Sequence, residues 1–225
     1  MDPRLQQLLR LVLQEYVASA EPVGSQYLVD RYTLEVSPAT VRNWFAELDE
    51  LGFLEQPHTS GGRIPTEAAF KQFADEIEPK PAPKRARERL EAAIKKVDDE
   101  RKLKAIAREL ADLTGLASIV SMEGSDTFYT GLSQLLAQPE FRNWQNAIHL
   151  TGLLEHLDET LAGLKRISFD EPLVLLGEDC PFGPACAAIV AKTEGGALLG
   201  ILGPIRMDYQ QAMSHLVSAL DVLND

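Results

Sequence analysis

The sequence has little cysteine, few aromatic residues and no long apolar run. Its 225 residues include two cysteines and 7% aromatic residues. No stretch reaches the 18 apolar residues that a membrane-spanning helix needs, so no membrane partner is expected. The first sixteen residues also lack the unbroken apolar stretch of a secretory signal. These absences predict a cytoplasmic protein.

The two cysteines, Cys180 and Cys186, can form a disulfide or half of a metal site. The chain has no third cysteine, and the nearest histidine in sequence is His156. The pattern favours two reduced structural thiols, with no metal and no cofactor. Acidic pairs at 158–159 and 178–179 lack a histidine or nucleophile at a useful spacing, so no enzymatic activity is expected.

Net positive charge is also lacking, because the formal net charge is −12. Residues 1–75 carry six Lys and Arg against eleven Asp and Glu, a net charge of −5. Residues 76–104 carry ten against seven, or +3, and residues 105–225 carry six against sixteen, or −10. This balance excludes diffuse nucleic-acid binding, so any DNA contact must come from a few well-placed cations.

Apolar residues at helical spacing organise the first 77 residues. They predict helices over Pro3 to about Ala18, Gln26 to Tyr32, Pro38 to about Leu51, and Glu67 to Ile77. Asp2, Ser25, Ser37 and Thr66 are predicted to cap these helices. Short strands are expected at 53–56 and 64–65, around a turn-rich loop with two adjacent glycines. Three helices followed by a strand and a glycine-rich loop are typical of a winged helix-turn-helix domain, which binds DNA.

The third helix and the loop carry the predicted DNA contacts. A major groove accepts one α-helix, and residues near its N-terminus then meet the base edges. Arg42 can make a forked contact with guanine or phosphate, and Asn43 can pair with an adenine edge. The predicted DNA-binding residues are Ser37, Ala39, Thr40, Arg42 and Asn43 on the helix, and His58, Thr59, Ser60 and Arg63 on the loop. The glycines are expected to let the loop lie close to DNA.

The rest of the chain predicts an α+β domain behind a connecting segment. We divide the sequence into a DNA-binding domain at 1–78, a basic linker with a connecting helix at 79–114, and a mixed domain at 115–225. The connecting helix is expected to be stiff, with an interruption near residues 98–99 as the alternative. The basic run at 84–89 is interpreted as a solvated helix face, with contacts to the DNA backbone as the alternative. Strands are expected at 117–122, 173–177, 185–193 and 197–202, and helices at 131–136, 144–164 and 209–223. Phe141 and Trp144 are predicted to lie in the core.

Four stretches of this sequence resemble one family. EPVGSQYLVDRY and VSPATVRNWFAELDELGFLEQPHTSGGRIPT are similar to the N-terminal domain of the HrcA family of heat-inducible transcription repressors. FYTGLSQLLAQPEF and GILGPIRMDY resemble its GAF-like sensor domain. The resemblance implies a winged helix-turn-helix domain followed by a GAF-like domain. It also implies repression of heat-shock (chaperone) genes, a homodimer on an inverted-repeat operator in double-stranded DNA, and the chaperonin as a further partner.

The sequence departs from the family at two places. LASIV runs almost directly into SMEGSDTFYTGLSQLL, where the family carries an inserted dimerisation region, so a dimer must use another surface. The segment 89–113 and a sheet edge are the two candidates. Trp44 and Phe45 replace the family's polar residue and methionine, and Trp44 is expected to pack on the fourth helix or to face DNA. Trp44 and the net charge of −5 leave open the alternative of a winged-helix protein-interaction module without sequence-specific DNA binding.

Overall fold

The computed structural model describes residues 1–57, 61–95, 97–122 and 126–225, and the chain forms two compact units, Met1–Glu76 and Ile77–Asp225. The expected mixture of helices and strands is confirmed, and the strands pair antiparallel. The division of the sequence at residues 78 and 114 stays a prediction. Within the described ranges, no helix is long and apolar enough to cross a membrane.

The first unit is a set of helices with one short strand pair. Its elements are α1 (Pro3–Ser19), α2 (Ser25–Tyr32), α3 (Pro38–Glu50), β1 (Leu54–Glu55), β2 (Ile64–Pro65) and α4 (Glu67–Asp75). The strands β1 and β2 pair antiparallel. The predicted caps by Asp2, Ser37 and Thr66 are confirmed, because each side chain accepts a hydrogen bond from an amide in the first turn of its helix.

The core of the first unit is formed by the apolar stripes of these helices. Its fully buried members are Leu8, Leu9, Val12, Leu13, Leu28, Val41, Phe45, Leu48, Leu54 and Phe70. The rings of Tyr16 and Phe70 lie 6.3 Å apart and join α1 to α4. Burial of each large apolar side chain contributes about 1.5–3 kcal/mol, which fixes the orientation of the three helices and leaves their polar faces exposed.

The second unit contains a five-stranded sheet and several helices. Its elements are α5 (Lys84–Ile94), α6 (Asp99–Thr114), β3 (Ala117–Ser121), β4 (Thr127–Thr130), α7 (Leu132–Leu136), α8 (Trp144–Glu155), α9 (Leu157–Arg166), β5 (Leu173–Leu176), β6 (Cys186–Lys192), β7 (Leu198–Pro204) and α10 (Tyr209–Asn224). Among the described residues the strand order is β4-β3-β7-β6-β5, with every pair antiparallel. The neighbouring strands β6 and β7 form an antiparallel hairpin.

Both faces of the central strands are covered. Ile119, Val190 and Leu202 share one apolar cluster with α7, α8 and α9. Val120 and Ile201 point to the opposite face and are also fully buried, where α6 and α10 contact the sheet. This double burial explains why β3, β6 and β7 have nearly continuous apolar sequences without the alternation of a one-sided sheet.

Several expectations for this unit are wrong. The segment expected to be a stiff helical connection is interrupted before Asp99, as the alternative predicted, but it does not stand alone, because α5 and α6 pack against each other and against α10. The helix expected over 144–164 is two helices, α8 and α9. The strand β4 was not predicted, because its Thr-Phe-Tyr-Thr sequence is short and only partly buried. Phe141 is buried as expected, but Trp144 is 74% exposed.

Candidate nucleic-acid interface

The N-terminus of α3 begins with a pair of hydroxyl side chains. Ser37 Oγ accepts a hydrogen bond from the amide of Thr40 over 3.1 Å and lies 2.9 Å from Thr40 Oγ1. Pro38 occupies the first helical position, where its missing amide proton costs nothing. Ser37 therefore acts as the helix cap, and its hydroxyl is shared with Thr40.

The outward face of α3 is held in place by its buried face. Val41, Phe45 and Leu48 are buried at 0–3% exposure, and they pack α3 against α1 and α2. Because these positions point inward, the predicted base-contacting residues Arg42 and Asn43 point outward and are exposed. Ala39, one turn earlier, is also exposed, so a duplex can approach this part of the helix without a large side chain in the way.

Arg42 reaches the beginning of α2. Its Nη1 donates to Ser25 Oγ over 3.3 Å. The cap predicted for Ser25 is wrong, because Gly24 is the N-cap residue and no side chain there hydrogen-bonds the first amides of α2. Such amides carry partial positive charge and commonly bind anions. Arg42 and the start of α2 together therefore form a small site of positive potential.

An open depression of about 450 Å³ joins this site to the glycine-rich loop. Its lining includes Ser25, Arg42, Gln56 and Arg63, together with the glycines at 61 and 62. The structure thus brings together the predicted residues Arg42 and Arg63. It adds the start of α2 and Gln56, which the sequence interpretation missed. The Gly24-Ser25 pair at the start of α2 could have indicated this helix N-terminus from the sequence.

Arg63 anchors the C-terminal end of the glycine-rich loop to α3 and to the segment before α2. Its Nε donates to both carboxylate oxygens of Asp49, over 2.9 and 2.7 Å, and the pair is mostly buried. Its backbone exchanges hydrogen bonds of 2.8 and 2.9 Å with Val23. A Cβ on Gly62 would lie 2.3 Å from the Val23 carbonyl oxygen, so this glycine is needed for close approach to the chain itself. Asp49 balances the charge of the Arg63 side chain. Contact of Arg63 with DNA stays a prediction.

His58, Thr59 and Ser60 lie outside the described residues, so their contacts with DNA stay predictions.

Trp44 is half-buried on α3, and the guanidinium of Arg4 lies 5.9 Å from its ring centre. Trp44 thus packs beside the N-terminus of α1, where we had expected either α4 or DNA.

Acidic residues limit the extent of the positive surface. Glu47 and Glu50 are exposed on the C-terminal half of α3, and Glu35 is exposed just before the helix. The negative charge of Glu47 contributes to raising the pKa of Arg4, although Asp2 has the larger effect. The N-terminal half of α3 therefore carries the guanidinium of Arg42 and the side-chain amide of Asn43, whereas its C-terminal half is acidic.

Arginines of the basic run at 84–89, on α5, form ion pairs within the second unit. Arg87 pairs with Glu91 over 3.0 Å and with Asp225 over 2.9 Å, and Arg89 pairs with Glu109 over 2.5 Å. These contacts fit the interpretation of a solvated helix face with balanced charge.

The metal-ligating side chains and the two thiols are the remaining groups of chemical interest. No group of three metal-ligating side chains is found in the part of the chain that the structure describes. Cys180 and Cys186 are free and buried, as the interpretation of structural thiols predicts. Burial raises the pKa of Cys180 to about 11 and that of Cys186 to about 12, so both stay neutral thiols at physiological pH.

Comparison with known proteins places these features in a family context. The model of the HrcA protein C-terminal domain matches residues 69–213. The chain is 41% identical over 128 residues to the heat-inducible transcription repressor HrcA of Desulforudis audaxviator, which covers 54% of this chain and 36% of that protein. It is 37% identical over 163 residues to HrcA of Moorella thermoacetica, covering 69% and 46%. The chain thus spans less than half the length of these relatives.

A solved structure shares the fold. It is a crystal structure of a hypothetical protein, with a TM-score of 0.76 and 17% identity, and the match covers 99% of this chain and 97% of that one. At this identity the likeness concerns the fold alone.

Proposed function

Because this chain belongs to the HrcA family, whose C-terminal domain it matches over residues 69–213, we propose that it is a DNA-binding transcription repressor of heat-shock genes. Curated relatives bear the name heat-inducible transcription repressor. The observation that carries the proposal is the exposed N-terminal half of α3. It presents Arg42 and Asn43 on the outer face of a helix whose inner face is buried in the core.

The first unit acts as a winged helix. Its order of three helices, a strand, a loop, a second strand and a fourth helix supports this assignment. Helix α3 enters the major groove, where Arg42 forks onto guanine or phosphate and Asn43 pairs with an adenine edge. Thr40 and the start of α2 contact the flanking phosphates, which position the helix without reading sequence. Arg63 and the loop residues His58, Thr59 and Ser60 contact the adjacent DNA backbone.

The second unit acts as a GAF-like domain for assembly and signal input. A homodimer places two copies of α3 about one turn of DNA, or a multiple of one turn, apart on an inverted-repeat operator. The resemblance to the repressor family also supports the chaperonin as a partner that controls the active state.

The proposal is tested by letting the protein select duplexes from a random-sequence pool and then measuring affinity by gel shift across a salt series. Asn43→Ala should lower the affinity for the selected duplex and relax the preference at one adenine, by about 1–3 kcal/mol. Gln7→Ala, which removes an exposed amide on α1, is the matched control and should bind as the parent does. Recovery of no sequence preference at all would contradict the proposal.

A second candidate is a winged-helix interaction module that does not recognise DNA sequence. The net charge of −5 over residues 1–75 favours it, as does the acidic C-terminal half of α3. The contact of Trp44 with Arg4 removes one reason for it, because Trp44 then has a packing role within the unit. The same selection experiment separates the two functions, since only the repressor enriches a sequence.

A further inference from the structure

The second unit contains a recess, here named the cationic groove, between α6 and the strand ends near Met122, Asp126, Thr193 and Ala197. It has a volume of about 910 Å³. Arg101, Lys104 and Arg108 line it from α6, and Met122 and Gly195 lie on the sheet side. Asp126 is the acidic residue among its lining residues.

The three cations share one face of α6. Positions 101, 104, 105 and 108 recur at helical spacing within α6, and all four residues line the groove. At a rise of 1.5 Å per residue, Arg101 and Arg108 are about 10 Å apart along the helix axis. The groove therefore has a row of positive charge along one wall, long enough for a ligand with more than one anionic group.

Two of the three cations have no ion-pair partner among the side chains that the structure describes. Lys104 pairs with Asp126 at 3.6 Å, and this carboxylate is 63% exposed, so the pair is weak. Arg101 and Arg108 pair with no carboxylate among the described side chains, which do not include those of residues 99 and 100. Like charges at such spacing on a helix oppose folding. Arg101 and Lys104 belong to the basic stretch 76–104, and Arg108 belongs to the acidic stretch 105–225. The fold gathers these three cations in one groove, where an anionic ligand would offset their mutual repulsion.

An aromatic ring positions two of the cations without neutralising them. The guanidinium of Arg108 lies 5.1 Å from the ring centre of Phe128, and Lys104 Nζ lies 5.8 Å from the same centre. The cation–π attraction holds both side chains near the groove while their charge remains available to an anion. The groove is thus partly organised before any ligand binds.

We propose that the cationic groove binds a phosphorylated small molecule of nucleotide size. Guanidinium groups match phosphate oxygens in a forked geometry, and the lysine adds a point charge. Val97, Ala105 and Ala197 supply apolar lining for the organic part of such a ligand. The volume lies within the ~300–1,000 Å³ of small-molecule sites.

A small anion suits this groove better than a nucleic acid. A long polyanion would extend from the groove over a body that is strongly negative, and repulsion would oppose its binding. A nucleotide or short polyphosphate confines its charge to the three cations. The inference goes beyond DNA binding by the first unit and does not depend on it.

Isothermal titration of the full chain with ATP, inorganic triphosphate and adenosine tests the proposal. ATP should bind more tightly than triphosphate, adenosine should bind weakest, and added salt should weaken the binding of both phosphorylated probes. Arg101→Gln, at an exposed position, and the double variant Arg101→Gln/Arg108→Gln should lower ATP affinity, the double variant at least tenfold. Arg142→Gln removes an exposed cation from the same unit outside the groove, and it should bind as the parent does.

Three results would overturn the proposal. The first is the absence of binding by both ATP and triphosphate at millimolar concentration. The second is equal ATP affinity for the double variant and the parent, with unchanged thermal unfolding as the sign that both are folded. The third is loss of duplex DNA binding in the double variant while ATP binding persists, which would assign these cations to the DNA backbone.

Discussion

Replacing Arg42 by alanine tests whether DNA binding can be separated from folding in this protein. Arg42 is the only Lys or Arg within α3, and its side chain is exposed. Its hydrogen bond to Ser25 Oγ is 3.3 Å long and joins two side chains. Substitutions at exposed positions of this kind change the free energy of unfolding by at most about 0.5 kcal/mol. The variant should therefore fold as the parent does.

The loss in DNA affinity should be much larger than the loss in stability. A forked arginine contact with a base is worth about 1–3 kcal/mol, or roughly 5- to 150-fold in affinity for one protomer. Two α3 helices on an inverted repeat double the free energy, so the dimer should lose roughly 30-fold to 10⁴-fold. If Arg42 contacts a phosphate, the slope of log affinity against log salt should decrease by about 0.9 for each protomer and sequence preference should persist.

The measurement is fluorescence anisotropy with the selected duplex at several salt concentrations, beside thermal unfolding of each variant. Arg10→Ala is the matched control, because it removes the same charge from α1, where Arg10 pairs with Glu76 over 2.6 Å at the surface. Unchanged affinity, salt slope and sequence preference in Arg42→Ala would refute the assignment of α3 as the DNA-reading helix.

Three other predictions concern stability and reactivity. Gly62→Ala should lower the free energy of unfolding by about 1–3 kcal/mol in urea titrations, because the added methyl group meets backbone atoms, whereas Gly152→Ala on α8 meets nothing within 4 Å and should not destabilise. Cys180 and Cys186 should react with iodoacetamide at pH 8 far more slowly in the native protein than in urea, and equal rates by mass spectrometry would contradict their burial. Hydrogen bonds from Tyr27 and Tyr32 lower the pKa of Glu15. The ionised Glu15 carboxylate therefore stabilises the fold above its unfolded pKa of about 4.5, and this stabilisation is lost as the pH falls. In urea titrations at several pH values, Glu15→Gln should show a weaker loss of stability in acid than the parent.

Local patterns were enough to predict the helices of the first unit and the buried face of α3. The spacing of Val41, Phe45 and Leu48 determined which face of α3 is buried, and therefore that Arg42 and Asn43 are exposed. The Ser37-Pro38 pair marked the start of the helix because capping and proline preference act within one turn. These features depend on residues a few positions apart, so they can be read along the chain.

Tertiary contacts decided the features that the sequence left open. The carboxylate of Asp49 engages Arg63, and Gly62 approaches the backbone of Val23, although neither partner is near in sequence. The exposure of Trp144 was likewise unpredictable, because helical spacing does not say which neighbours cover a ring. The sequence by itself determined the helices of the first unit, three of their four predicted caps and the family. Only the folded chain decided which charges are balanced and which stay available to a ligand, because charge balance depends on distances in space.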